Sequence, residues 1–154
     1  MKWYGRGPIE SYWDRKRGTA IGTYRGSVDG QFVEYSRPQE NGNKTDVRWL
    51  CLTNENGIGL LAVGRPLLST GARNYRTADL ENVRHKHSVK RSPFVTLNLD
   101  FKQMGVGGDN SWGALPMEGY RLKFGDYEYS FSLIPVSESE ETADSVARRI
   151  RATF

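Results

Sequence analysis

The sequence is poor in everything that marks a disulfide scaffold, a membrane span or a metal centre. Its 154 residues hold a single cysteine, Cys51, which excludes an intrachain disulfide. Cys51 sits in the apolar run Trp49-Leu50-Cys51-Leu52, where a buried, inert thiol is expected. Two histidines are present, too few for a metal site without acidic or thiol helpers. No apolar run is long enough for a membrane-spanning helix, and no stretch has the pattern of a signal peptide. Charge of one sign is also scarce: 22 basic against 18 acidic residues leave a net +4. A nucleic-acid binder concentrates its charge in a stripe. Here the basic residues are scattered, apart from Arg84, Lys86, Lys90 and Arg91. Neither nucleic acid nor a membrane is expected as a partner.

What is abundant is aromatic and turn-forming. Four Trp, eight Tyr and 17 Gly point to strands joined by tight turns. The length suits one domain or part of a larger one. Residues 19–24 and 31–35 read as strands around a turn at residues 26–30. Val47, Trp49 and Cys51 alternate with Arg48, Leu50 and Leu52, a strand apolar on both faces. Asn54-Glu55-Asn56-Gly57 reads as a hairpin turn returning through residues 58–63. Residues 66–75 predict a further strand, interrupted by Gly71, and Thr77 the N-cap of a short helix. Residues 94–101 alternate as a strand. Residues 120–124 and 127–134 predict a last hairpin across Gly125-Asp126, with Tyr127, Tyr129, Phe131 and Leu133 on one face. After Ser137, read as an N-cap, acidic residues come first and Arg148, Arg149 and Arg151 last. Ala143, Val146, Ala147 and Ile150 fall at helical spacing. The expected division is residues 1–136 as a β-sandwich and 137–154 as an amphipathic helix.

The stretch Met104-Gly105-Val106-Gly107-Gly108-Asp109-Asn110-Ser111-Trp112 carries the most chemistry. Its glycines allow an unusual backbone, its polar side chains suit sugar hydroxyls, and Trp112 offers a flat face for sugar C–H groups. A structural loop with a buried Trp is the competing reading. A phosphate loop is excluded because no Gly-Lys-Ser/Thr ending follows. His85-Lys86-His87 reads as two structural histidines on one face of an extended strand. Glu40, in Arg37-Pro38-Gln39-Glu40-Asn41-Gly42, lacks the second carboxyl that glycoside hydrolysis needs, so a structural turn is expected there. Asp14 is expected to pair with Arg15 or Arg17.

Taken in order, these stretches resemble the C-terminal small-chain domain of glycoside hydrolase family 2 β-galactosidases. Gly5-Arg6-Gly7-Pro8 with Glu10, Tyr12, Asp14 and Arg15 is similar to the family's G-x-G-P-x-E-x-Y-x-D-R stretch. So are residues 37–42 with Arg48, the pair His85 and His87, and Leu97-Asn98-Leu99-Asp100 running into residues 103–112. The likeness covers residues 3–135. It implies an all-β fold, an antiparallel β-sandwich of the galactose-mutarotase-like supersandwich type, here as an incomplete copy with a C-terminal helix. It implies a parent enzyme that hydrolyses terminal β-D-galactosides with retention. The catalytic glutamates would belong to a TIM-barrel domain outside this chain, so no catalytic residue is assigned here. The resemblance makes Trp112 an aglycone-side stacking platform, with Asp109 and Asn110 as loop support. Cofactors are expected to be none in this chain, the parent's Mg²⁺ and Na⁺ being bound by other domains. Trp13 stands where many relatives carry Pro, Asn110 replaces a common Asp, and the helix after Glu138 is not a strong family feature.

The expected role is an accessory domain, inactive alone. The expected partners are a β-galactoside, reached through the parent enzyme, and the TIM-barrel domain of the same or a partner chain. A free-standing carbohydrate-binding module and the separate small subunit of a two-chain enzyme are the alternatives. Missing strands would leave open sheet edges, so homo-oligomers are also expected. The compartment stays open between bacterial cytoplasm and periplasm. The opening Met1-Lys2-Trp3-Tyr4-Gly5 reads as a cut from a longer protein.

Overall fold

The structure, a computed structural model, describes residues 1–110 and 112–153. It is an antiparallel sheet of six strands: β1 (Lys2–Gly7), β2 (Ala20–Arg25), β3 (Lys44–Thr53), β4 (Ile58–Arg73), β5 (Thr96–Asp100) and β6 (Ser130–Ser137). Two helices accompany it, α1 (Thr77–Glu81) and α2 (Ala143–Ala152). The strands run in the order β2-β1-β3-β4, and the far edge of β4 is shared. Its first half pairs with β6 and its second half with β5. The all-β, antiparallel reading therefore holds, and the described residues supply one sheet of it.

From Trp49 on, the alternation in β3 sets the two faces of the sheet; Val47, expected beside Trp49, lies with Leu50 because a register shift falls between Val47 and Trp49. Trp49 and Cys51 point to one side with Leu61, Val63 and Val136, and α2 closes that side with Ala143, Val146 and Ala147. Trp3, Val47, Leu50 and Leu68 form a second cluster, joined by Leu97 and Leu99. Phe131 and Leu133, in register with Gly64 and Ala62, stay exposed. Cys51 is buried, and that burial pushes its thiol pKa up to about 11, the inert state expected of it.

The β3–β4 hairpin forms as its turn dictates. Asn54 Oδ1 accepts the N–H groups of Asn56 and Ile58 at 2.9 and 3.1 Å, and Gly57 takes φ +75°. Beyond it, the strands expected at residues 58–63 and 66–75 are one strand, β4. Pro66 is accommodated because residues 64–67 have no partner on β3, between the pairs Trp49–Val63 and Val47–Leu68, while Gly64 and Arg65 keep theirs on β6. On β3 a second irregularity falls between Lys44 and Val47, where Asp46 has φ +55°.

Other local expectations fail for identifiable reasons. Residues 31–35 are no strand, because Val33 N–H is taken by Asn41 Oδ1 at 3.0 Å. Residues 120–124 form no hairpin arm: the Tyr120 carbonyl accepts Gly105 N–H at 2.8 Å, and β6 pairs with β4 instead. Helix α1 starts one residue early, with Asp79 capping Arg76 N–H at 2.8 Å, so Thr77 is its first turn and not its cap. Ser137 closes β6, and α2 is capped by Thr142, whose Oγ1 accepts Ser145 N–H at 3.3 Å. His85 and His87 lie on a turn, not a strand, with their rings parallel and centroids 5.4 Å apart.

Candidate functional site

The glycine-rich loop leaves the sheet after β5 and is anchored by residues from the other end of the chain. Asp14 holds its root: Oδ1 accepts Val106 N–H at 3.0 Å and Oδ2 accepts Gly107 N–H at 2.8 Å. The guanidinium of Arg15 donates to the Gly107 carbonyl. The expected Asp14–arginine pairing is thus replaced by two side chains that grip one backbone segment from both polarities. Gly107 and Gly108 have φ of +62° and +85°, which L side chains rarely adopt. A Cβ on Gly105 would also stand 2.7 Å from Asp14 Oδ2. The glycines are there for backbone shape and close approach.

From that root the loop rises to Trp112. Asn110 Oδ1 accepts Trp112 N–H at 2.9 Å and Ala114 N–H at 3.4 Å, and Gly113 turns the chain at φ +78°. Trp112 is 91% exposed, so it fills no core among the described residues. Asp109 is exposed beside it. Ser111, part of the same motif, lies outside the described residues.

Asp14 and Arg15 are themselves clipped in place. Tyr12 and Arg15 exchange backbone hydrogen bonds at 3.1 and 2.9 Å. Ser11 Oγ meets Thr45 Oγ1 at 2.9 Å and accepts Thr45 N–H at 3.0 Å, and Asn43 Nδ2 donates to the Ser11 carbonyl at 2.8 Å. Glu10 accepts Gly42 N–H at 2.8 Å and the hydroxyls of Tyr12 and Tyr35. Burial and the hydrogen bond to Glu10 push Tyr35 up to about 12. Glu10, Tyr12, Asp14 and Tyr35 border an open cleft of about 610 Å³ with Arg15, Glu40 and Val106. Glu10 and Glu40 both reach it, yet each is engaged structurally: Glu40 pairs with Arg73. Among the described residues, no group of three or more His, Cys, Asp or Glu could hold a metal ion.

Sequence reasoning missed two residues here. Lys44 is buried, donating to the Gly42 carbonyl at 3.2 Å and lying 5.2 Å from the Trp3 ring centre. Burial lowers its pKa to about 8, against a raising pull from Glu10. Asp46 receives Arg6 at 2.6 Å and Lys16 at 2.9 Å. Burial works to raise its pKa, but the Arg6 and Lys16 hydrogen bonds win and hold it low. The alternation of Glu10, Tyr12 and Asp14 was the available signal that polar side chains share one side of this loop.

Residues 1–133 match the family model described as β-galactosidase small chain. A β-galactosidase of Priestia megaterium is 45% identical over 137 residues, covering 88% of this chain and 13% of its own length. One from Halalkalibacterium halodurans is 35% identical over 136 residues, covering 86% and 13%. One from Streptococcus thermophilus is 34% identical over 140 residues, covering 89% and 14%. The chain thus spans 13–14% of the length of these relatives.

Proposed function

This chain belongs to the β-galactosidase small-chain family, and from that premise we propose that it is the accessory domain of a β-galactosidase that hydrolyses terminal β-D-galactosides. Trp112 would be its contribution to the substrate. The observation that carries this reading is the exposure of Trp112 on a loop pinned by Asp14, Arg15 and Asn110. A large aromatic ring held out in solvent on an anchored loop offers a flat apolar face on which a ligand can stack. A saccharide or aryl aglycone has the flat apolar face that fits, and a pinned loop has already lost the freedom that binding would otherwise take away.

The domain would supply position and a binding surface, while acid, base and nucleophile come from the remainder of the parent enzyme. The chain's own glutamates in the cleft are tied into hydrogen bonds and an ion pair, which leaves them poor agents of bond cleavage. Stacking is worth ~0.5–1.5 kcal/mol beyond burial, by analogy with aromatic pairs. Trp112→Ala in the parent enzyme should raise KM for aglycone-rich substrates several-fold, and Trp112→Phe should recover part of the loss. An unchanged KM in Trp112→Ala would refute the platform role.

A further inference from the structure

Away from the loop, one buried cation is left unexplained. Arg73, the last residue of β4, is 4% exposed. Glu40 pairs with one end of its guanidinium. Nε and Nη2 nevertheless make no well-formed hydrogen bond among the described residues. The oxygen of Tyr75, itself 5% exposed, faces donors of Asn41 and Arg73, and its own proton finds no acceptor there. Charged donors buried without acceptors are among the costliest arrangements a fold can hold, and native structures resolve them with water or a ligand.

These groups border a cavity of about 170 Å³, walled also by Phe32, Asn41, Asn74 and Arg91. That is room for more than one water. Phe32 meets Tyr75 edge-on at 5.3 Å and makes one wall apolar. The other polar groups are already spent. Asn41 accepts Val33 N–H and donates to the Gln39 carbonyl, both at 3.0 Å. Asn74 donates to Asp29, which also pairs with Arg91 at 2.6 Å. What remains is a surplus of donors: the Nε–Nη2 edge and the proton of the Tyr75 phenol. That edge presents two parallel N–H bonds, the pattern that two oxygens of one carboxylate or phosphate match.

We propose that the cavity between Arg73 and Tyr75 binds a small oxyanion, a carboxylate or phosphate group held bidentately by Arg73 and capped by the Tyr75 hydroxyl. The test titrates the 154-residue chain with inorganic phosphate and, separately, sodium acetate. Sodium chloride at equal ionic strength is the reference, and the Arg73 Nε–H resonance is followed. A saturable shift with either oxyanion and none with chloride is expected, the stronger of the two naming the preferred chemistry. Tyr75→Phe should weaken binding about tenfold, and Arg73→Lys, which lacks the paired edge, should lose it. No saturable shift, an equal shift with chloride, or unchanged affinity in Tyr75→Phe overturns the proposal and leaves a cavity filled by water.

Discussion

Asp14 and Gly107 are 93 residues apart in sequence, and the carboxylate of one accepts the N–H of the other at 2.8 Å. The same carboxylate takes the neighbouring Val106 N–H. One side chain near the start of the chain therefore sets the root of the loop that ends in Trp112. Asp14→Ala should release both amides. Hydrogen exchange at Val106 and Gly107 is expected to speed up about tenfold or more, a hydrogen bond to a charged group being worth ~1.5–3 kcal/mol. Exchange in the β3–β4 hairpin should not change. Equal protection of the loop in both proteins would mean that Asp14 is not its anchor.

Gly108 should resist replacement where Gly119 does not. At φ +85° an L residue is strained by ~1–2 kcal/mol, and its Cβ would stand 2.7 Å from Arg15 Nη2. Gly119 has open space around its Cβ position. Gly108→Ala is expected to lower the urea midpoint or loosen the loop amides, and Gly119→Ala to stay within ~0.5 kcal/mol of the parent. Indistinguishable melts and exchange rates for the two variants would count against the strained backbone.

Lys44 predicts an unusual pH dependence. Its pKa falls from 10.5 to about 8 on folding, so between those values the unfolded chain binds more protons. Stability gained from this group therefore rises with pH through that window, by ~3 kcal/mol at most. Cys51 and Tyr35, whose pKa values rise on folding, act in the opposite direction at alkaline pH. The comparison must therefore be Lys44→Met against the unmutated chain. The variant's advantage should be largest near pH 7 and shrink by pH 10, measured by urea denaturation at each pH. A constant difference would show that Lys44 keeps an ordinary pKa.

Trp112→Ala should leave stability almost untouched. An exposed side chain away from packing changes it by ~0.5 kcal/mol or less, whereas loss of a core Trp costs ~3–5 kcal/mol. A melting temperature of the isolated chain that collapses in this variant would place Trp112 in a core.

Phe131 and Leu133 present apolar surface on β6, and β6 pairs with β4 along one side. Such a strand is a template for association. The isolated chain is expected to self-associate in a concentration-dependent way, and Phe131→Lys with Leu133→Glu to shift sedimentation toward monomer. Equal monomer sedimentation of both proteins would remove the idea.

The elements legible in the sequence are those whose signal is local. The alternation through Trp49 and Cys51 and the Asn-Gly turn after Thr53 require a hairpin whatever surrounds them, since side-chain period and turn geometry belong to the chain itself. Helix α2 was legible in its apolar spacing, though not in its start: Ser137 is a good cap in isolation, but β6 claims its backbone through Ile58. Residues 120–124 look like a hairpin arm, yet their partner is the glycine-rich loop. Likewise residues 58–63 and 66–75 read as two strands, which β4 joins through a local irregularity.

The candidate site divides in the same way. Composition marked residues 104–112 as a loop of glycines and polar groups ending in Trp112, and resemblance gave that loop a role. Whether Trp112 is core or surface was open, because a ring's burial depends on what packs against it from elsewhere in the chain. The fold decided that it is exposed. The fold also decided that Asp14 and Arg15 serve the loop, that Glu10 and Glu40 are structural, and that Arg73 is buried with donors to spare. Periodicity and turn chemistry act between neighbours and can be read from sequence; a hydrogen bond across 93 residues exists only after the sheet has brought its two ends together.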